Sequence, residues 1–166
     1  TGSSDLWSIN PRVHIAYAIE AGALTVTPFV DFDAHYARIN AYAETGAGLA
    51  DLTYARVSQD LYAVTPGLEL ALVGTIDENI SGRAFVRGGV ELTRSDAWQI
   101  ETQFAAAPAG LPGIKITEPY DSAIANLDAG FMLYNPFGVT VRFDYSGRYS
   151  QSTTSHEGSA SVSLRF

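Results

Sequence analysis

Alternation of apolar and polar residues with a period of two is the strongest pattern in this 166-residue chain. It is clearest in the last segment, where apolar or small residues alternate with serines and Arg165. Successive side chains of a β-strand point to opposite faces, so the pattern predicts a strand with one apolar face. The residues on that apolar face are Gly158, Ala160, Val162, Leu164 and Phe166.

The same alternation recurs along the chain and predicts about eight strands in all. Most of these segments are near or above the roughly 9–11 residues that a tilted membrane strand needs, whereas strands of soluble sheets usually have about 5–6. Segment length therefore favours a membrane barrel over a soluble sheet. The predicted strands cover residues 12–20, 24–36, 62–72, 84–92, 98–104, 123–134, 139–146 and 158–166.

Composition excludes several other classes of protein. No stretch approaches the roughly 20 consecutive apolar residues of a membrane helix, so any membrane crossing must use strands. The net charge is −8 and Lys115 is the single lysine, which leaves no basic patch for nucleic acid. The absence of cysteine excludes a disulfide framework and thiolate metal sites, and it fits an oxidising compartment.

The polar face of the predicted strands carries acidic and basic residues interleaved with glycine and serine. A soluble sandwich also alternates, and the difference lies in this polar face, on which both signs of charge are present. Around a closed lumen, these side chains would form a hydrated, ion-paired interior, and lipid would contact the apolar face. The residues predicted to face the lumen are Arg12, Asp31, Asp33, Glu69, Arg87, Glu91, Glu101, Asp128, Arg142, Asp144 and Arg165.

The predicted fold class is therefore all-β, an antiparallel up-and-down transmembrane β-barrel. It forms a single domain, or a barrel fragment, over residues 1–166, with residues 1–5 as a flexible lead-in. Acidic residues outnumber basic residues, which predicts an electronegative lumen.

The predicted links between strands differ in length. Links over 94–97 and 135–138 are short, whereas links over 105–120 and 150–157 are longer. Membrane barrels have tight turns on the periplasmic side and longer loops outside. The stretch 39–58 falls on the short-link side of this alternation, which indicates that one strand boundary near it is misplaced.

Aromatic residues concentrate near the predicted strand ends. Amphipathic rings at the depth of lipid headgroups form girdles in membrane barrels, and we prefer this interpretation to ordinary strand-end aromatics. The residues concerned are Trp7, Tyr36, Trp98, Tyr134, Phe137, Tyr149 and Phe166.

No catalytic or metal-binding motif stands out. The three histidines, His14, His35 and His156, do not have metal-ligand spacing, and no serine lies in a Gly-x-Ser-x-Gly motif. The pair Asp31 and Asp33 lies on one strand face, which favours a lumen ion-pair network over an acid–base dyad. We therefore predict no enzyme activity, no metal and no cofactor.

Five segments, in this order, resemble the C-terminal β-barrel translocator domain of autotransporters, the type V secretion proteins. They are Thr27-Pro28-Phe29, Tyr42–Gly46, Asp60–Leu70, Phe104–Gly113 and Ser161–Phe166. No single segment is specific, but their order along essentially the whole chain is.

The resemblance implies a barrel in the Gram-negative outer membrane that supports export of an N-terminal passenger to the cell surface. Family barrels have roughly twelve strands and a helix through the pore. With about eight predicted strands, this chain resembles an N-terminally truncated portion. The implied partners are the lipid bilayer, lipopolysaccharide, the barrel-assembly machinery and the chain's own passenger, with a second copy if the fragment oligomerises.

The last strand has a second implied role, as the signal that the barrel-assembly machinery recognises by strand pairing. Its residues are Ala160, Val162, Leu164 and Phe166. The sequence leaves two alternatives open. One is a small complete outer-membrane barrel without a passenger, acting as a porin, adhesin or structural anchor, and the other is a soluble β-sandwich.

Overall fold

The structure is a computed structural model that describes residues 1–95, 98–108 and 110–165. These residues form thirteen strands and one 3₁₀-helix, Gly48–Ala50. The all-β antiparallel prediction is confirmed. No helix in the described ranges is long and apolar enough to span a membrane, a finding that does not bear on crossing by strands.

The strands differ widely in length, from two to twenty-one residues. They are β1 (Leu6–Ile9), β2 (Arg12–Ala16), β3 (Ile19–Ala21), β4 (Leu24–Ile39), β5 (Tyr42–Ala43), β6 (Leu52–Tyr54), β7 (Val57–Asp77), β8 (Ile80–Ser95), β9 (Trp98–Phe104), β10 (Ile114–Glu118), β11 (Ala123–Tyr134), β12 (Val139–Tyr149) and β13 (Thr154–Leu164).

Nine strands form the main sheet, in the order β1-β4-β7-β8-β11-β12-β13, with β2 and β3 also paired to β4. Strands β1 to β3 thus behave as one interrupted strand along β4. Pro11 lies in the first interruption, where its missing N–H cannot extend the ladder, although its carbonyl accepts a hydrogen bond from Ala34 N at 3.1 Å.

The other four strands form a small sheet in the order β10-β9-β6-β5, built entirely from links between long strands. Its registers include Ile116 opposite Ile100 and Tyr54 opposite Thr102. The strand predicted over 98–104 therefore exists as β9, but it pairs with β10 and β6 and lies outside the main sheet.

Because β9 is not a strand of the main sheet, the stretch 39–58 no longer falls on the short-link side of the predicted alternation. The main-sheet strands are joined by long links over 40–56 and 96–122, and by tight links over 22–23 and 78–79. As far as the tight link 135–138, long and tight links therefore alternate in chain order, and 40–56 is one of the long links. The long link predicted over 150–157 is wrong, since β13 already begins at Thr154.

Turn chemistry explains why the tight link over 135–138 reverses the chain. Asn135 Oδ1 accepts a hydrogen bond from Val139 N at 2.9 Å, and Gly138 N donates to Asn135 O at 3.2 Å. Gly138 has φ of +84°, a left-handed conformation that a side chain disfavours. This turn fixes the register of β12 on β11.

The edges of the main sheet are β13 on one side and β1 with β2 and β3 on the other. No pairing joins β13 to β1 among the described residues, so these strands form an open sheet. The predicted count of about eight barrel strands is accordingly not confirmed.

The chain forms two compact units, and several long strands contribute residues to both. The first unit consists of Thr1–Arg12, Asp33–Tyr62 and Thr93–Ser122, and it contains the small sheet. The second consists of Val13–Phe32, Ala63–Leu92 and the described residues from Ala123 onwards.

Burial along β7 is the reverse of that in a soluble sheet. The apolar side chains of one face are exposed, with Tyr62 at 58% and Leu72 at 55%, whereas Ala63 and Ala71 on the other face are 4% exposed. In β8, Val86 and its apolar neighbours are likewise exposed, and the charged residues of the opposite face are half-buried. We call these the apolar face and the polar face of the main sheet.

Candidate functional site: the charged polar face

The polar face takes its residues from one parity of each long strand. Register places these residues side by side: Arg87 of β8 lies opposite Asp128 of β11, and Asp128 lies opposite Ser146 of β12. The period-two alternation of each strand is therefore repeated across neighbouring strands, and the charges collect on one surface.

Asp31 of β4 is the centre of a charged cluster on this face. Its Oδ1 contacts Nδ1 of His14 from β2, and its Oδ2 accepts a hydrogen bond from an Arg87 guanidinium nitrogen at 3.0 Å. The Asp31 side chain is 16% exposed, so its two cationic or polar partners replace most of the water that it loses.

Phe29 supports this cluster from the same strand face. Its ring lies 3.8 Å from the Arg87 guanidinium carbon, a cation–π contact, and its centroid lies 5.9 Å from the His14 ring. The ring occupies the space above Gly67 of β7, where a Cβ atom would overlap it and would approach the Gly88 carbonyl oxygen to 2.6 Å. Phe29 is accordingly the most buried large side chain, 6% exposed, although it lies on the polar face.

Further ion pairs continue along the polar face. Arg83 binds Glu69 between β8 and β7, and Arg148 of β12 reaches Glu91 of β8 at 3.1 Å. Arg142 and Asp144, two residues apart on β12, form a bidentate pair at 2.6 and 2.9 Å.

In the first compact unit, Arg12 pairs with Asp33. Most predicted lumen residues are therefore half of an ion pair, as expected for charges drawn partly out of water.

Three of the predicted lumen residues are placed differently. Glu101 lies on β9 in the small sheet, opposite Lys115 of β10, and it is exposed. Asp128 lies on the polar face without an ion pair to a described residue. Arg165 follows β13 and is exposed, and its backbone N donates to Gly138 O at 2.9 Å.

The residues predicted as an assembly signal lie on β13, an edge strand. Ala160, Val162 and Leu164 are exposed and lie opposite Phe143, Val141 and Val139 of β12. Phe166 lies outside the described residues.

Two arginines and one phenylalanine of the polar face were missed by sequence reasoning. Arg83 has the same parity as Arg87, and Arg148 the same as Arg142, so extending the alternation by a few residues would have found both. Phe29 also has the polar parity, but an aromatic residue there gives no local signal of its role, because the room for its ring depends on Gly67 of another strand.

Among the side chains that the structure describes, no group of three or more His, Asp or Glu residues is placed to hold a metal ion. The polar face instead offers paired charges, amides and hydroxyl groups on a rigid sheet. The chemistry of such a surface is hydration and weak, reversible polar contact.

Comparison with known protein families identifies the family of this chain. A model of the autotransporter β-domain family matches residues 1–146, most of the chain. The chain belongs to the autotransporter β-domain family. No curated protein and no solved structure matched it.

Membership agrees with the two features described above, the all-β antiparallel fold and the polar face of ion pairs. Autotransporter β-domains are outer-membrane β-barrels with a translocator role, and these general properties extend to this chain. The match ends within β12, so the resemblance of the final segment to the closing strand of the family lies beyond it.

Proposed function

We propose that this autotransporter β-domain anchors a passenger in the outer membrane and supports its export to the cell surface, the passenger being attached N-terminal to the domain. The observation that carries the proposal is the reversed burial of β7 and β8, in which the apolar face is exposed and the charged side chains of the polar face are half-buried.

The apolar face is suited to lipid. Leu68, Leu70 and Leu72 of β7 are each 43–55% exposed and lie on one face beside the exposed Val86 and Val90 of β8. Soluble monomers rarely expose a contiguous apolar patch larger than a few hundred Å². In a bilayer the same surface is stabilised, and strand edges must be closed because lipid cannot hydrogen-bond to them.

The polar face is suited to a lumen. Its ion pairs neutralise charges that are partly withdrawn from water, which leaves a hydrated wall without a strong net attraction for a passing chain. An extended passenger segment would contact this wall through water and would not be trapped. The tight links 22–23 and 78–79 would then lie in the periplasm, and the long links 40–56 and 96–122 outside the cell.

Assembly and anchoring require partners on the apolar face and at the sheet edge. We propose the bilayer with lipopolysaccharide as the solvent of the apolar face, and the barrel-assembly machinery as the partner of β13. Strand β13 has a free edge and exposed alternating side chains, the features that strand addition requires.

A reporter export assay tests the proposal. The chain would be expressed behind a signal peptide, with a tagged protease-sensitive reporter fused before Thr1. We expect the reporter to be cleaved by protease added to intact cells, and the domain to be recovered as a heat-modifiable outer-membrane protein. A reporter retained in the periplasm by a correctly inserted domain would contradict export and favour an anchor or pore without a passenger.

A further inference from the structure

A recess of about 380 Å³ lies at one end of the apolar side of the first compact unit. It is formed where β1 pairs with β4, with Trp7 opposite Arg38, and where Asn40 N donates to Asp5 O at 3.2 Å. Tyr36 completes the wall. None of these side chains belongs to the ion pairs of the polar face.

Arg38 is the one charged group of the recess that is only partly exposed. Its Nε atom is buried and has no hydrogen-bond partner, and it forms no ion pair with a described residue. A guanidinium carries five N–H donors in a fixed plane, which match the oxygen atoms of phosphate or carboxylate in two parallel hydrogen bonds. An unpaired buried donor is costly, so an anionic group at this position would stabilise Arg38.

Two aromatic rings, those of Trp7 and Tyr36, line the same recess as Arg38. Trp7 and Tyr36 pack edge to face with centroids 5.4 Å apart, and Trp7 is 57% exposed. Exposed aromatic faces pack against the C–H faces of sugar rings, while carboxylate and amide groups bind sugar hydroxyls. Asp5 and Asn40 supply one of each at the rim of the same recess. These five side chains together favour a sugar that carries an anionic group, because a simple anion would contact Arg38 and leave the rings, Asp5 and Asn40 without a partner.

The recess also lies at a defined depth. Strand β4 ends at Ile39, and the long link 40–56 begins immediately after Arg38 and its neighbour. Under the proposed function this end of β4 is at the outer surface of the membrane, where aromatic rings sit at the headgroup level. The surrounding apolar face lies against acyl chains. A ligand that fills the recess would therefore have an anionic sugar headgroup and a lipid tail.

We infer that this recess binds the phosphorylated sugar headgroup of an outer-leaflet glycolipid, the chemistry found in lipopolysaccharide. Arg38 pairs with the phosphate, Trp7 and Tyr36 stack on the sugar ring, and Asp5 and Asn40 bind its hydroxyls. The inference rests on the proposed function for the depth of the recess, but the binding itself is measurable on purified protein.

Fluorescence of Trp7 reports occupancy directly when Trp98 is replaced in a Trp98→Phe background. The full chain, folded in detergent, would be titrated with lipid A, with its enzymatically dephosphorylated form and with inorganic phosphate. We expect saturable binding of lipid A, at least about tenfold weaker binding of the dephosphorylated lipid, and no response to inorganic phosphate at the same concentrations. Equal binding of the two lipids by the Trp98→Phe chain, with Arg38 unchanged, would overturn the inference.

Variants assign the binding to this recess. Arg38→Gln should weaken lipid A binding by about tenfold or more, with Arg38→Lys intermediate. Arg94→Gln is the matched control, since Arg94 is an exposed arginine of the apolar parity near the corresponding end of β8. Unchanged affinity in folded Arg38→Gln, or an equal loss in Arg94→Gln, would contradict the assignment. If lipid A does not bind but the reporter is exported normally, the lipid site is rejected and the proposed function is left intact. If lipid A binds but the reporter is not exported, the lipid site is supported and the proposed export function is rejected.

Discussion

Gly67 lies directly beneath the Phe29 ring, on the polar face where β4 and β7 are neighbours. A methyl group at Gly67 would displace the ring from its contact with the Arg87 guanidinium. We expect Gly67→Ala to lower the free energy of unfolding by about 1–3 kcal/mol, the usual cost of overpacking. Urea titration of the folded protein in lipid vesicles measures this quantity.

Gly74 of the same strand is the matched control for that substitution. A Cβ atom at Gly74 meets nothing within 4 Å, so Gly74→Ala should leave stability unchanged or slightly increased. Equal destabilisation by the two substitutions would show that the Phe29 contact is not the cause.

Asp31 of the polar face holds two side chains from different strands, His14 and Arg87. Asp31→Asn removes the negative charge from both, and we expect a loss of about 1–3 kcal/mol in the free energy of unfolding. Asp128→Asn changes the same group at a position without an ion pair, and should cost less than about 0.5 kcal/mol. An equal effect of the two substitutions in denaturant titrations would contradict the importance of the Asp31 cluster.

Tyr54 lies on β6, in the long link between β4 and β7. Partial burial raises the pKa of Tyr54 above its ordinary value, and the negative charge of Glu44 and the neighbouring Tyr42 raise it further. Tyr54 and Tyr42 stack with centroids 4.4 Å apart. Because this pKa is raised on folding, the stabilisation from neutral Tyr54 is present below about pH 10 and is lost as the pH rises through the folded-state pKa.

Glu44→Gln removes one of these causes and should lower the pKa of Tyr54 towards its ordinary value. Tyrosinate absorbance near 295 nm, taken as the difference between each protein and its Tyr54→Phe counterpart, follows the titration of this residue alone. A Tyr54 pKa at or below the ordinary value of about 10 would contradict the packing of β5 on β6.

The two faces of strand β13 can be compared directly, because each of its residues is exposed and, among the described residues, β12 alone pairs with it. Leu164→Asp places a charge on the apolar face, and Ser163→Asp places the same charge on the polar face. We expect Leu164→Asp to reduce the heat-modifiable outer-membrane fraction severalfold, since charge facing lipid costs up to a few kcal/mol. Ser163→Asp should have little effect, and a similar loss in both variants would argue against lipid on the side of Leu164.

The long strands could be predicted from the sequence because period-two alternation is a local property of each segment. β4, β7, β8, β11 and β12 all include the segments predicted for them. The same signal identified the polar face and most members of its ion pairs.

Pairing between distant segments could not be predicted in this way. Strand β9 alternates like a barrel strand, but its partners β6 and β10 come from links that carry little pattern of their own. The start of β13 at Thr154 could not be predicted because residues 154–157 are polar on both faces. The alternation of apolar or small residues with polar residues begins only at Gly158. The role of Phe29 depends on the missing side chain of Gly67, which is a tertiary property.

For the whole molecule, the central claim is that the exposed apolar face meets lipid and the charged face meets a hydrated lumen. The claim follows from the reversed burial of β7 and β8 and from membership of the autotransporter β-domain family. It connects the ion pairs with the proposed export of a passenger, because a hydrated lumen needs the polar face to be the inner one.

Site-directed spin labelling of β7 tests this claim most directly, and the natural absence of cysteine permits single-cysteine variants without further changes. With the chain in lipid vesicles, labels at 62, 64, 68, 70 and 72 should show high accessibility to oxygen, which partitions into lipid. Labels at 63, 65, 69 and 71 should show low oxygen accessibility, giving a period of two residues along the strand. High oxygen accessibility at the odd-numbered positions, or no two-residue period, would contradict the account.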